Sequence, residues 1–172
     1  MRGKRYAVRQ ATKLLVKNGI DPEKIDINQM VNNPIDVVAI ANELKIKVVP
    51  QPFESNISGV FFRKNNHLFL GVNETQNPKR QRFTIAHEIG HYILHSSEVL
   101  HYDESELHFR SENVSSMDEV EANHFAAELL MPEVLVNRCI EEAGIRSVPD
   151  LAIRFDVSEE AMRYRLINLG WL

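Results

Sequence analysis

The sequence predicts an α+β fold in which helices flank a small antiparallel or mixed sheet. Apolar residues recur at helical spacing over residues 4–19, 83–94 and 118–132. Between the first and second of these segments, residues 59–63 and 67–73 have the composition of two strands joined by a short turn. Because the strands are few, we expect the sheet to pack on the helices that follow it.

Local signals predict the elements that precede the hairpin. Residues 4–19 predict an amphipathic helix that an Asn-Gly pair closes. Its basic residues meet no acidic residue before Asp21, and we interpret them as a solvated face in preference to a surface for an acidic partner. A second helix opens at Pro34 and runs through Leu44, and residues 46–49 predict a strand.

The most informative motif is His87-Glu88-Ile89-Gly90-His91, an HExxH sequence inside an apolar helical segment. Residues four apart lie on one face of a helix, so both imidazoles can reach the same metal ion. Glu88, about 100° round the helix, is then placed to act as a general base for water. A zinc ion supplies the remaining chemistry, because it lowers the pKa of water towards about 7. A buried polar triplet needs compensation, which favours a metal site over two hydrogen-bonded core histidines.

The third metal ligand has to come from another segment. The metzincin pattern requires a glycine and a histidine where this chain has Leu94 and Ser97, which excludes that subclass. A helix rises about 1.5 Å per residue, so His95 lies about 12 Å from His87 and cannot share one ion with it. We interpret His95 as a histidine near the helix C-terminus, where positive charge is favourable.

The best candidate for the third ligand lies in the helix predicted for residues 118–132. Glu119 shares a stripe with the alanines one and two turns further on, so we expect it to face inward and choose it as the ligand. Glu121 is expected to be solvated and remains the fallback. Asn123, one turn after Glu119, is placed to hydrogen-bond a ligating imidazole, with a helix-packing amide as an equal alternative.

These two helices together resemble a known family. The run from Arg82 to His95, followed by Glu119-x-Glu121-Ala122-Asn123-x-Phe125 and the residues up to Pro132, is similar to the ImmA/IrrE family of bacterial and phage-associated metallopeptidases. The similarity covers roughly residues 35 to 135. It implies a zincin-like metallopeptidase domain in which His87, His91 and Glu119 hold zinc and Glu88 is the general base. Mn²⁺ and Fe²⁺ remain open, because two histidines and a carboxylate suit several metals.

The resemblance also implies a function, which is a limited and specific cut in a regulatory protein. Such partners are typically helix-turn-helix repressors in mobile-element or stress control. In zincins a sheet edge generally lies alongside the substrate, so the hairpin before the active-site helix is a candidate peptide-binding edge, with a plain scaffold as the alternative. The competing hypothesis is a regulator that binds DNA or a repressor and has a structural or vestigial metal site. Glu88 favours the enzyme, because a purely structural site needs no general base.

Composition predicts an ordinary cytoplasmic protein without membrane contact. The 172 residues, 44% of them hydrophobic, suffice for one core, and the net charge of −4 does not suggest a polyanion binder. Cys139 is the single cysteine, which excludes an intramolecular disulfide and fits a reducing compartment. No stretch approaches the roughly 18 apolar residues of a membrane helix.

An acidic stretch separates the two metal-binding helices. Residues 96–118 predict a long loop that is either a lid or binding loop or a solvated excursion. Several side chains are candidates to stabilise the oxyanion formed during hydrolysis, and none of them is preferred. They are His101, Tyr102, His108 and His124.

The C-terminal residues predict a helix-turn-helix-like element, with Ser158 capping its second helix. Acidic residues balance its arginines, so we prefer a packing or protein-docking role to direct DNA binding. The predicted organisation is therefore an N-terminal helix and linker at 1–33, a zincin-like peptidase domain at 34–145, and this element, packed on the core, at 146–172.

Overall fold

The computed structural model describes residues 3–95 and 116–172. Within them the chain forms helices and a three-stranded sheet, which confirms the α+β prediction. The helices are α1 (Lys4–Lys17), α2 (Val37–Glu43), α3 (Pro78–Leu94), α4 (Ser116–Leu130), α5 (Glu133–Glu141), α6 (Val148–Phe155) and α7 (Glu159–Leu169), with a 3₁₀ turn at Met30–Asn32. The strands are β1 (Ile46–Gln51), β2 (Gly59–Lys64) and β3 (His67–Asn73).

The sheet is mixed and has the strand order β1-β3-β2. β1 runs parallel to β3, with Ile46 opposite Leu68, and β2 runs antiparallel to it. The predicted hairpin is confirmed, because Asn65 and Asn66 both have positive φ and form the two-residue turn that joins twisted strands well. β2 ends one residue later than predicted, at Lys64, and β1 extends two residues beyond the prediction, to Gln51.

Side-chain caps determine where several helices begin. The carboxylate of Asp36 accepts hydrogen bonds from the backbone N–H groups of Val38 and Ala39, both at 3.0 Å. α2 therefore begins at Val37, three residues later than predicted, because Asp36 is its cap and not a helical residue. In the same way Asn77 accepts from the N–H of Arg80 at 2.9 Å and starts α3.

The core is built around α3 and α4, which pack antiparallel on each other, with α1 against α4. Fully buried side chains along α1 and α4, such as Leu15, Phe125 and Leu129, fill the space between them. The sheet packs on α3 from the other side. No helix among the described ranges combines the length and the apolar character that a membrane crossing requires.

The C-terminal helices pack on this core. The turn between α6 and α7 is tied to α3, because Lys79 donates a hydrogen bond to the Val157 carbonyl at 2.8 Å and Arg82 donates to the Asp156 carbonyl at 3.2 Å. Ser158 caps α7 as predicted, accepting from the N–H of Ala161 at 3.1 Å.

Candidate metal site

α3 brings the two motif histidines together. Because they are four residues apart on one helical face, the imidazole rings of His87 and His91 stack edge to face with centroids 4.6 Å apart. His91 is almost completely buried and His87 is 16% exposed. The two imidazoles therefore lie side by side at the edge of the core, with His87 nearer the surface.

Close packing of α4 on α3 delivers the third candidate ligand. A Cβ atom on Gly90 would lie 3.3 Å from the Cα of Ala122 and 3.1 Å from the ring of Phe125, so the glycine in the HExxH motif permits the close approach of the two helices. Glu119 lies one turn before Ala122 and faces the two histidines. Its side chain nevertheless remains 44% exposed, so it faces α3 without being enclosed.

The donor atoms of these three residues converge. The Nε2 atoms of His87 and His91 are 3.0 Å apart, and the Glu119 carboxylate oxygens lie 3.3 Å from the first and 3.2 Å from the second. A tetrahedral site with bonds of about 2.0 to 2.1 Å has ligand atoms about 3.3 to 3.4 Å apart. The triangle therefore has nearly the dimensions that a zinc-sized ion requires.

Asn123 supports the same interpretation. Its side-chain Oδ1 lies 3.0 Å from the Nδ1 atom of His87 and accepts a hydrogen bond from that nitrogen. The Nε2 atom of His87 then carries a lone pair, which points towards a second imidazole and a carboxylate. Such a cluster of donors suits a cation, so the residues present fit a metal ion.

Glu88 lies on the sheet side of α3 and is 7% exposed. A Cβ atom built on Gly59, the first residue of β2, would lie 3.4 Å from the Cγ of Glu88 and only 2.7 Å from the Cγ2 of Thr84. The backbone of β2 therefore passes directly beside the candidate general base. Sequence analysis did not single out Gly59; the available signal was a glycine at the start of a strand, which often marks a close backbone approach.

Glu121 is the residue for which the expectation was wrong. It was expected to be solvated, yet it is 3% exposed, because it faces the C-terminal end of α3 where His95 covers it. The imidazole of His95 lies between two carboxylates, with Nδ1 3.5 Å from Asp118 and Nε2 3.8 Å from Glu121. These contacts are longer than those of the first triangle and involve opposite ring nitrogens. Among the described residues, the geometry therefore favours Glu119 over Glu121 as the third ligand.

Most of the other candidates fall outside the described residues. Of the acidic loop predicted for 96–118, residues 96–115 lie outside the described residues, and so do His101, Tyr102 and His108. Residues 116–118 are helical and form the start of α4, so the loop prediction was wrong at this end. His124 is described, and it lines a cleft between α3, α4 and α7. Its pKa is lowered, chiefly because burial disfavours the charged imidazolium and also because Lys4 and Arg165 repel it.

That space, here called the α7 cleft, has a volume of about 630 Å³. It is bounded by α3, α4 and α7, and two of its lining residues, Phe83 and Asn123, contact the ring of His87. Behind it, a buried ion pair between Arg165 and Glu128 joins α7 to α4, and Arg165 also donates to the Met131 carbonyl at 2.9 Å. The cleft therefore borders the candidate metal site, and the ion pair joins its α7 wall to α4.

Comparison with known proteins shows that this chain is similar to metallopeptidases. Over 102 residues the chain is 36% identical to the radiation response metalloprotease IrrE of Deinococcus radiodurans. The aligned segment covers 58% of this chain and 31% of that protein. The chain is 29% identical over 112 residues to the metallopeptidase ImmA of Bacillus subtilis, and this aligned segment covers 63% of this chain and 60% of that protein. The chain thus spans only part of the length of these relatives.

The fold is also similar to that of a solved structure, a Mycobacterium tuberculosis transcriptional regulator, with a TM-score of 0.60 and 17% identity over 93% of this chain and 46% of that one. At this identity the similarity concerns the fold alone. The family model of the IrrE N-terminal-like domain, Peptidase_M78, matches residues 41–167. These residues include the sheet, both helices of the candidate metal site and most of α7, so the chain belongs to the Peptidase_M78 family, as the resemblance to ImmA/IrrE proteins predicted.

Proposed function

We propose that this protein is a zinc-dependent endopeptidase that makes a limited, specific cut in a regulatory protein. The observation that carries the proposal is the convergence of His87, His91 and Glu119 within hydrogen-bonding distance of one another, beside a buried glutamate of the HExxH motif. The relatives named metalloprotease and metallopeptidase support the same reaction class.

Each residue has a distinct role in this proposal. His87, His91 and Glu119 hold the zinc ion, which supplies Lewis-acid polarisation of the scissile carbonyl and lowers the pKa of water. Glu88 takes the proton from the attacking water and passes it to the leaving amine. Asn123 accepts the Nδ1 proton of His87 and so keeps the Nε2 lone pair directed at the metal.

β2 offers a binding edge for an extended substrate. The backbone carbonyl of Ser58 accepts a hydrogen bond from the N–H of Asn73 at 2.9 Å. Along an antiparallel strand the backbone N–H and C=O groups of successive residues then point alternately towards β3 and away from it. The backbone groups of Gly59, Phe61 and Arg63 therefore face outward and are available to pair with a peptide. Because Gly59 lies beside Glu88, a peptide paired with this edge passes in front of the general base.

We further propose that the substrate is a helix-turn-helix repressor in mobile-element or stress control, and that the protein acts in the cytoplasm. The family resemblance supports this substrate class. The competing hypothesis is a non-proteolytic regulator that binds DNA or a repressor. Two results together would favour it: the protein cleaves no partner, and it shifts the mobility of DNA even after its metal has been removed.

The test is the Glu88→Gln variant, which keeps the size of the side chain and removes the base. We expect the variant to bind metal as the parent does and to lose cleavage by about 10²-fold or more. The readout is the set of new protein N-termini in bacterial cells that express either form, quantified by mass spectrometry. Glu141→Gln, on the exposed face of α5, is the matched control and is expected to keep the parent pattern. The same new N-termini in cells with Glu88→Gln would exclude this mechanism.

A further inference from the structure

The α7 cleft borders the candidate metal site. It begins at Phe83 and Asn123, whose side chains contact His87. Its far wall is α7, which contributes Ala161 and Tyr164. Phe83 lies one helical turn before His87, so the side chain next to the scissile bond of a polypeptide bound at the metal site would lie close to this space.

The lining of the α7 cleft includes a set of apolar and uncharged side chains from three helices. Phe83, Ala127 and Met131 line it together with the ring of Tyr164, which is 62% exposed although it is a large aromatic side chain. Burial lowers the pKa of His124, which disfavours the charged form of this imidazole. The volume of about 630 Å³ lies within the usual range of ligand pockets. These properties suit an apolar side chain.

Positive charge lies at the other end of the cleft. Lys79 and Arg80 line it at the start of α3, where the helix N-terminus adds its own partial positive charge. The ammonium group of Lys79 is bound to a carbonyl and the guanidinium of Arg80 lies over the ring of Phe83, so within the described part of the chain neither cation has a carboxylate partner. Glu160 is the acidic group of the lining and lies on α7. An acidic group of a ligand would therefore be attracted to this end.

We infer that the α7 cleft binds the substrate polypeptide next to the scissile bond, with an apolar side chain between Phe83 and Tyr164 and an acidic residue at Lys79 and Arg80. This inference rests on the proposed peptidase function. Arg80 lies about 10 Å from His87 along α3, which corresponds to about three residues of extended peptide. The acidic residue is thus expected about three positions from the scissile bond.

The test uses peptide hydroxamates, which chelate the metal, on the full metal-loaded chain. Two series extend the peptide to either side of the hydroxamate. Each series has Gly, Leu or Phe at the first position from the hydroxamate and Asp or Lys at the third position, and acetohydroxamate is the reference. In one series we expect Leu or Phe to bind at least tenfold more tightly than Gly, as burial of one such side chain provides. Asp is expected to bind several-fold more tightly than Lys, with a difference that decreases in high salt.

Variants locate these preferences. Tyr164→Ala and, independently, Ala161→Trp are expected to bring the Leu to Gly ratio close to one, the first by removing the wall and the second by filling the cleft. Arg80→Gln is expected to reduce the Asp to Lys ratio. Ile167→Ala is the matched control, because Ile167 is 51% exposed on the same helix and is not part of the lining.

The outcomes separate the two proposals. Acetohydroxamate binding without any side-chain preference, or a preference that Tyr164→Ala and Ala161→Trp leave intact, would overturn the cleft inference and leave the peptidase proposal standing. Failure of acetohydroxamate itself to bind the metal-loaded chain would contradict the metal site, and the cleft inference would fall with it.

Discussion

The imidazole of His87 and the side-chain amide of Asn123 lie 3.0 Å apart, from Nδ1 to Oδ1, and this contact joins α3 to α4 at the candidate metal site. Hydrogen bonds of this kind orient a ligating imidazole and select its tautomer. From the sequence alone, a packing amide is an equal alternative for Asn123. The observed contact supports the orienting role.

Asn123→Ala is therefore expected to weaken metal binding by about 10- to 100-fold without unfolding the protein, because the ring of His87 loses its fixed orientation. Competition with a chelating dye measures the affinity. Asn42→Ala, at an exposed position on α2, is the control and should bind as the parent does. An unchanged affinity in Asn123→Ala would assign the amide to helix packing only.

The two glutamates of α4 are expected to behave differently. Glu119→Gln removes the carboxylate that faces both histidines, so near-stoichiometric metal should be lost. Glu121→Gln should keep the metal, because Glu121 contacts His95 at the end of α3. Metal content per chain, measured by elemental analysis beside a thermal melt of each variant, distinguishes them. Loss of metal from a folded Glu121→Gln alone would reverse the assignment.

Gly59→Ala is expected to lower the free energy of unfolding by about 1 to 3 kcal/mol. Its new methyl group would lie 2.7 Å from the Cγ2 of Thr84, so β2 or α3 has to shift. Thr84→Ser deletes that Cγ2 atom, and the double variant should recover part of the loss in a double-mutant cycle followed by urea unfolding. Strict additivity of the two substitutions would show that Thr84 is not the obstacle.

Arg165→Met should destabilise the protein by about 3 to 5 kcal/mol, because it leaves the Glu128 carboxylate buried without its cation. The double variant Arg165→Met, Glu128→Met is expected to lose less stability than Arg165→Met alone, because no buried charge remains. Chemical unfolding of both variants and of the parent tests this order. A larger loss in the double variant would contradict it.

The pH dependence of Arg165→Met has a definite sign. Burial already raises the pKa of Glu128 in the parent, against the opposing attraction of Arg165. Without that cation the folded-state pKa rises further above the unfolded value, so stability is lost as pH rises from the unfolded pKa through the folded one. The deficit relative to the parent should therefore be larger at pH 8 than at pH 5. An equal deficit at both values would indicate that Glu128 does not remain buried in the variant.

Features that depend on residues close together in the chain, such as helical spacing and turns, could be predicted from the sequence. The four-residue spacing of His87 and His91 and the phase of Glu119 on α4 follow from the helical period, and the Asn65-Asn66 turn predicted the hairpin. The roles of these site residues stay predictions, but the structure brings the three donors together. The resemblance to ImmA/IrrE proteins was also available from the residues alone, and the family match confirms it.

Tertiary structure decided which neighbouring residues cover each face of a helix. Helical period gives the direction of a side chain relative to its own axis, but it does not say which neighbour lies there. Glu121 was therefore expected in solvent, whereas His95 of α3 covers it. For the same reason the proximity of Gly59 to Glu88 and the α7 cleft had no sequence signature, because each is formed by segments far apart in the chain. The sequence by itself determined the candidate metal donors, and the packing of the sheet and α7 around α3 decided the surfaces that surround them.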